Sequence, residues 1–445
     1  MYKLILVVAC CFLAQGRLVA QDSRPMYHRV QILLEDRAIS ELGALGVSTD
    51  HGIYLRGHSL TAEISSAELE AVRAAGFKTV MLQENLQQWY LQRDKYEAGV
   101  SERSFMCQNE PTVRQYPIPG NYTYGSMGGY HTYAEMLAVL DSMYKKFPHL
   151  ITQRALVSDT LRTHLGRPVY FVKISDHADQ DEDEPEVLYT ALHHAREANS
   201  LSQMLFFMWY LLENYETNEE VRYIVRNAEL YFIPCINVDG YLYNESTDPK
   251  GGGFWRKNRR PNENGTFGVD LNRNYGYQWG AANGGSSGNP ASEVYRGPSA
   301  FSEPETRMVR DFCLQHNFLF VQNYHTFSNL LIYPWAYNDQ PADSVLVKYA
   351  RLFVRENKYK SGTSSQTVGY AVNGSSDDWM YGALAALSFT PEVGTTGFWP
   401  AKSEIIELNR STMWINLATV LSALHFGEIT TQYNIIENRF AFDIP

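Results

Sequence analysis

Three runs of strand length in this chain carry almost no polar alternation: EVLYTALHH (186–194), ELYFIPCIN (229–237) and FLFVQNYH (318–325). A strand with one wet face alternates apolar and polar side chains. A strand covered on both faces reads as a continuous apolar run, and such strands belong to parallel sheets packed between helices. Parallel neighbours need long crossovers. The intervening sequence meets that need: SLSQMLFFMWYLLENY (200–215) reads as a long apolar helix and 303–316 as another. Upstream, TYAEMLAVLDSMYKKFP reads as an amphipathic helix stopped by Pro148. The fold class that follows is α/β, and the Gly- and Asn-rich stretch 244–300 reads as long loops, where the sites of such folds sit.

The sequence ahead of this unit has a different grammar. YHRVQILL reads as a strand, AISELGALG as a short helix, and GIYLRGHSLTAEIS as strands turning at Arg56-Gly57. SSAELEAVRAAGF follows as a helix with Ser65 and Ser66 as cap candidates and Glu68 at the third position, and TVMLQEN returns as a strand. The order β-α-β-β-α-β over residues 21–90 is the ferredoxin-like α+β pattern. Residues 86–120 are polar and irregular, so 91–115 read as a linker, 116–428 as the main domain and 429–445 as a short tail. Residues 1–20 carry Lys3, an apolar run Leu4–Ala14 and a small-residue site at Leu18-Val19-Ala20. That run is shorter than the ~20 residues a spanning helix needs and reads as a secretory signal peptide, which places the protein outside the cytoplasm. No later segment reads as a membrane span. Of five cysteines, Cys10 and Cys11 leave with the signal, and Cys107, Cys235 and Cys313 form neither a disulfide framework nor a metal knuckle. The net charge of −11 argues against nucleic acid or an anionic membrane as the main partner.

Two HxxE pairs occur, His194/Glu197 and His425/Glu428. The second ends a helix in the last folded segment, where imidazole complements the helix terminus, and reads as structural. The first stands at the end of a buried strand with Glu197 opening the next helix. An imidazole and a carboxylate three residues apart can hold one Zn²⁺, and a catalytic site needs a third protein ligand and an open position for water. His325 ends another buried strand and would reach the same rim.

The blocks HHARE, NVDGY, FWRKNRR, GVDLNRN, YHTFSNLLIYP, GSSDDW and SFTPEVG resemble, in order and spacing, the signature of the zinc metallocarboxypeptidases of the carboxypeptidase A/B type over residues 116–428. The layout of a secreted chain with one leading domain is similar to that of bacterial carboxypeptidase T. The resemblance implies a large mixed sheet with helices on both faces, one Zn²⁺ per chain, and a ferredoxin-like pro-domain ahead of it. It assigns His194, Glu197 and His325 as zinc ligands and Asp270 as the carboxylate that orients the first histidine. Glu392 becomes the catalytic carboxylate and Arg256 the cation that steadies the oxyanion. Asn272 and Arg273 would grip the substrate's terminal carboxylate, with Arg196 as an accessory arginine and Tyr370 closing over the substrate. Asp377 falls at the floor of the side-chain pocket, where Asp accompanies a preference for C-terminal Lys or Arg, with a mixed basic and apolar preference as the alternative.

By the same resemblance the partners are peptides or proteins with a free C-terminus and an activating protease. The linker arginines Arg103 and Arg114 are cleavage candidates that would end latency, and the chain reads as a monomer. Two positions depart from the family pattern: Pro391 precedes Glu392 in place of a large apolar residue, and Phe327 replaces a tyrosine. Other readings are a zinc endopeptidase, a cell-wall peptide amidase and a catalytically silent peptide-binding module. The first two would not need the Asn272/Arg273 anchor, and the third predicts loss of Glu392 or Arg273. The GxSxG match at Gly284–Gly288 lacks the strand and helix that a nucleophile elbow requires.

Overall fold

The computed structural model describes residues 25–49, 51–97 and 114–426. The signal-peptide reading, Cys107, Arg103, Glu428 and the tail fall outside them. The N-terminal unit contains strands β1 (Tyr27–Leu33), β2 (Ile53–Leu55), β3 (Ser59–Ser65) and β4 (Lys78–Gln83), with helices α1 (Ser40–Ala44) and α2 (Ser66–Ala74). The sheet is antiparallel in the order β2-β3-β1-β4, as the βαββαβ pattern requires. Helix α2 opens on the expected capping box: Ser65 Oγ accepts from the Glu68 N–H, and the Glu68 carboxylate accepts from the Ser65 N–H.

The reading of 86–120 as irregular is corrected. Residues Leu86–Glu97 form a helix, α3. Its apolar residues Leu86, Trp89 and Tyr90 stand at positions i, i+3 and i+4, and Leu86 and Tyr90 are buried. That stripe is one turn long in an otherwise polar stretch, too short to register as a periodic pattern. Arg93, on the same face, donates to the carbonyls of Trp399 and Pro400.

The main domain is built on an eight-stranded mixed sheet: β5 (Ala155–Leu156), β6 (Tyr170–Ile174), β7 (Glu186–Thr190), β8 (Glu229–Ile233), β9 (Phe318–Asn323), β10 (Leu330–Ile332), β11 (Lys360–Gly362) and β12 (Leu387–Glu392). The order is β11-β10-β12-β9-β7-β8-β6-β5. The three apolar runs of the sequence are its centre, with β9 and β8 both parallel to β7, and β12 parallel to β9. The chain moves from β7 to its neighbour β8 and then crosses to β9 on the other side of β7. That reversal opens a crevice at the carboxyl ends of β7 and β9.

Helices cover both faces. In order they are α4 (Tyr133–Lys146), α5 (Ala198–Asn214), α6 (Glu219–Asn227), α7 (Val238–Thr247), α8 (Pro304–Cys313), α9 (Ser344–Phe353), α10 (Ser364–Thr367), α11 (Ser376–Leu384), α12 (Ile405–Ser411) and α13 (Met413–Leu424). Successive strand residues point to opposite faces. Gln322 on β9 accordingly bonds Thr419 of α13, and Asn323 bonds Asp377 and Met380 of α11. Helix α5 is buried from Ala198 to Leu212, which is why its sequence is apolar all round from Met204 to Leu212. Cys235 and Cys313 are buried free thiols. Among the described residues no helix is long and apolar enough to cross a membrane.

The two units share packing. A cluster of buried side chains runs from Val30, Ile32, Leu60 and Ile64 of the N-terminal unit to Leu330, Ile332, Val368 and Tyr370 of the main domain. Beside it, buried Glu63 accepts from Arg29 Nη2 at 2.6 Å and Tyr90 Oη at 3.0 Å, while Arg29 also donates to the Thr396 carbonyl at 2.6 Å. Gly397 is obligatory there: its φ is +121°, and a Cβ would stand 2.4 Å from Glu63 Oε1. Removing Glu63 leaves Arg29 without its carboxylate at the seam. Arg29 keeps 24% of its side chain exposed, so the expected cost lies below that of a fully buried broken pair. Glu63→Ala should destabilise the intact chain by about 2 kcal/mol, read as a lowered urea midpoint against the wild type.

Candidate metal centre and active site

Three elements bring the metal-ligand candidates to the crevice. His194 follows β7, Glu197 caps α5, and His325 follows β9. The last is locked in place by backbone pairing. The His325 N–H donates to the Pro391 carbonyl and the Val393 N–H donates to the His325 carbonyl, extending the β9–β12 ladder so that His325 stands beside Glu392. Pro391 therefore contributes the one ladder group that proline keeps, its carbonyl.

The donor atoms converge. His194 Nδ1 lies 2.7 Å from Glu197 Oε1, His325 Nδ1 lies 2.8 Å from Glu197 Oε2, and the two Nδ1 atoms are 3.1 Å apart. All three side chains are buried. The other nitrogen of His194, Nε2, lies 3.0 Å from Asp270 Oδ1, which accepts its proton and leaves Nδ1 with a lone pair. That lone pair faces a carboxylate and a second imidazole nitrogen, an arrangement that calls for a cation. Tetrahedral Zn²⁺ with bonds near 2.0–2.1 Å places its ligand atoms ~3.3 Å apart, so an outward shift of roughly half an ångström of the donors found here accommodates the ion. The donor set of two imidazoles and one carboxylate fits zinc.

Asp270 is the hub of the surrounding charge. Arg256 donates to its Oδ2 through Nε at 3.1 Å and Nη2 at 2.8 Å, and Arg273 Nη1 lies 3.9 Å away. Burial pushes the Asp270 carboxyl up, but Arg256, Arg273 and His194 outweigh it and hold it far below the usual range. Glu392 shows the opposite balance: burial raises its carboxyl, with His51 opposing the rise. Behind the ligands, His193 bonds Tyr275 Oη at 3.0 Å and stacks under His325 with ring centroids 5.5 Å apart.

A family model described as zinc carboxypeptidase matches residues 136–414. The chain belongs to the zinc carboxypeptidase family. It is 31% identical over 329 residues to carboxypeptidase O of Bos taurus, a match spanning 70% of this chain and 84% of that one. It is 32% identical over 299 residues to carboxypeptidase B of Astacus astacus, spanning 64% and 93%. Among solved structures, a carboxypeptidase A from Helicoverpa armigera superimposes with a TM-score of 0.71 at 21% identity, over 91% of this chain and 99% of that one. That likeness shows the shared fold. The protein is a zinc metallocarboxypeptidase, a peptide hydrolase.

The remaining predicted residues of this carboxypeptidase separate into two groups. His194, Asn272, Arg273, Asp377 and Glu392 line one small cavity of about 30 Å³, room for a single water, whose other walls include Ile332, Ala336, Val368 and Val372. Arg273 is aimed by the carbonyls of Asn272 and Gly285 at 2.9 and 3.1 Å and donates through Nη2 to Tyr370 Oη at 3.1 Å. Asn272 is fixed because its Oδ1 accepts from Ser376 N and Oγ. Asp377 sits at the start of α11 with both oxygens engaged, accepting from Asn323 Nδ2 at 2.7 Å and Thr390 Oγ1 at 2.6 Å. Burial pushes its carboxyl up to about 6. Arg196 stands apart. Its guanidinium lies over the Phe398 ring at 4.0 Å and 3.8 Å from Glu293.

One residue at the centre was not anticipated from sequence: His51 of the N-terminal unit. It is 3% exposed, and its ring nitrogen groups with a nitrogen of His194 and a carboxylate oxygen of Glu197. Nothing in the chain's periodicity marks it; the only local signal is a histidine before Gly52 in a loop.

The neighbouring Asp378 gives a test. Its carboxylate accepts from the Ala336 and Tyr337 N–H groups, yet burial, reinforced by Asp377, raises it to about 8. A carboxyl whose folded value exceeds its unfolded value near 3.9 adds stability below the lower value and loses it as pH rises through the upper one. The melting-temperature difference between wild type and Asp378→Asn should therefore move against the wild type between pH ~4 and ~8.

Proposed function

We propose that this enzyme is a secreted carboxypeptidase made as a latent precursor, removing single C-terminal residues with a preference for basic, or mixed basic and apolar, side chains. The observation that carries the reading is that one cavity is lined by a zinc-ligand candidate, a fixed arginine fork, a raised glutamate and the Asp377 carboxylate. A guanidinium held by two backbone carbonyls presents a planar fork to a terminal carboxylate and so sets the register one residue from the chain end. Asp377 and the apolar walls supply the chemistry that the stem and charged head of Lys or Arg need, but the cavity of about 30 Å³ left in the intact chain holds only a water, so such a side chain enters only when the N-terminal unit no longer packs on Ile332 and Val368.

His194, Glu197 and His325 would hold the zinc ion, which when bound would supply water activation near neutral pH and polarisation of the scissile carbonyl. Glu392 takes the water proton and returns it to the leaving amine, a task its raised carboxyl suits. Arg256, held in line by Asp270, donates to the oxygen on which negative charge develops. Arg273 and Asn272 fix the register, and Tyr370, already bonded to Arg273, covers the bound carboxylate. Latency is supported by the packing of the N-terminal unit against Ile332, Val368 and Tyr370 at the mouth of the site. Of the two cleavage candidates, Arg114 pairs with Glu220 and is partly exposed, and Arg103 lies outside the described residues.

Glu392→Gln should lower kcat by about a thousandfold, with zinc content per chain unchanged by metal analysis. Full turnover in that variant removes Glu392 from its role. Amidating the substrate's C-terminus should abolish release, whereas an endopeptidase or amidase would still cut. The ratio of kcat/KM for C-terminal Arg over Leu should fall as pH drops through about 6, where Asp377 takes up its proton. Asp377→Ile should remove that dependence. Cutting the folded chain between 98 and 113 and removing the N-terminal piece by dilution should raise activity, and equal rates for the intact chain and the separated main domain would end the latency reading.

A further inference from the structure

Away from the candidate metal centre, two buried glutamates share a pocket with a histidine. Glu303 and Glu305, at the start of α8, are fully buried, and His164 reaches them from the loop between β5 and β6 with 23% of its side chain exposed. One donor atom from each residue lies within 4.8 Å of the others. Glu303 is the N-cap residue of α8, yet its side chain makes no capping bond. Its Oε1 accepts from Arg260 Nη1 at 2.9 Å and Ser302 Oγ at 2.7 Å, and its Oε2 lies 2.8 Å from both His164 Nε2 and Asn258 Nδ2. Glu305 accepts from Asn258 Nδ2 through Oε2 at 3.1 Å, but its Oε1 is buried with no hydrogen-bond partner. Arg260 balances one of the two carboxylates, and among the described residues no arginine or lysine forms an ion pair with the other.

A buried carboxylate oxygen without a donor is costly, and a second carboxylate beside it adds to the cost. Burial, reinforced by Glu303, pushes the Glu305 carboxyl up to about 7. A proton relieves that charge. A divalent cation relieves it and also gives the unpartnered oxygen a bond. The imidazole is able to join in. A proton on Nε2 faces Glu303, but Nδ1 bonds nothing among the described residues, so the proton can sit there and leave Nε2 its lone pair. The loop that carries His164 is preset. On either side of it, Thr163 Oγ1 and the Leu165 N–H both donate to Asp239 at 2.9 Å.

We propose that His164, Glu303 and Glu305 form a second metal site, separate from the catalytic one, for a divalent transition-metal ion such as Zn²⁺. One imidazole with two carboxylates suits such an ion better than Ca²⁺, which takes only oxygen ligands and more of them. The ion acts as a brace. Asn258, bonded to both glutamates, stands two residues after Arg256. Its N–H donates to the Val269 carbonyl at 3.0 Å and its Oδ1 accepts from the Val269 N–H at 2.8 Å, next to Asp270. Asn274, next to Arg273, accepts from the Glu303 N–H at 3.2 Å. The pocket is thus bonded to the segments that carry Arg256, Asp270 and Arg273.

The test uses full-length chains dialysed against excess Zn²⁺, desalted and assayed for metal. The wild type should hold one more ion per chain than Glu305→Gln or His164→Gln, and both variants should bind that ion at least ~tenfold more weakly in titration. Glu305→Gln keeps the shape of the buried side chain, and His164 is partly exposed, so folding of each is checked by circular dichroism. Saturating Zn²⁺ should raise the melting temperature of the wild type by more than that of either variant. Equal metal content in all three chains, which marks the extra ion as an adventitious surface one, or equal gains in melting temperature would overturn the proposal.

Discussion

A single buried carboxylate organises the chemistry of this protein. Asp270 accepts from His194 and Arg256 and sits within ionic reach of Arg273. Each of those cations or potential cations would be costly to bury alone, and the carboxylate offsets that cost while fixing three geometries at once. The tautomer of His194, the direction of Arg256 and the placement of Arg273 all depend on one side chain at the start of the 3₁₀ turn Leu271–Arg273.

The sheet supplies the second constraint. The reversal of strand order around β7 puts His194 and His325 at adjacent strand ends, and the continued pairing of β9 with β12 sets Glu392 beside them. Ligands 131 residues apart thus meet by backbone hydrogen bonding, a rigid means of positioning, instead of by loop packing. The Gly- and Asn-rich loops add the fork and the pocket around that frame.

Much of this was legible in the linear chain because the relevant signals are local. Continuous apolar runs identified β7, β8 and β9, and polar residues at their ends identified the rim. The capping box at Ser65 and Glu68 marked α2. Helix α3 was not legible, since its three anchoring side chains span one turn and the carbonyls that Arg93 reaches, those of Trp399 and Pro400, lie some 300 residues on. His51 was hidden for the same reason. Its partners, Glu197, Arg256 and Glu392, lie far along the chain, and a histidine in a loop has no period to betray it. The engagement of Asp377 by Asn323 and Thr390 likewise arises only when β9, α11 and β12 come together.

The seam between the units has a kinetic consequence. Arg29, Glu63, Tyr90 and Arg93 on one side and Thr396, Phe398, Trp399 and Pro400 on the other all lie outside residues 98–113. A nick in that segment severs the covalent tether but none of these grips. Departure of the N-terminal piece is then governed by its own off-rate, and at high protein concentration the severed piece can rebind. Onset of hydrolysis would trail the nick by a dilution-sensitive lag.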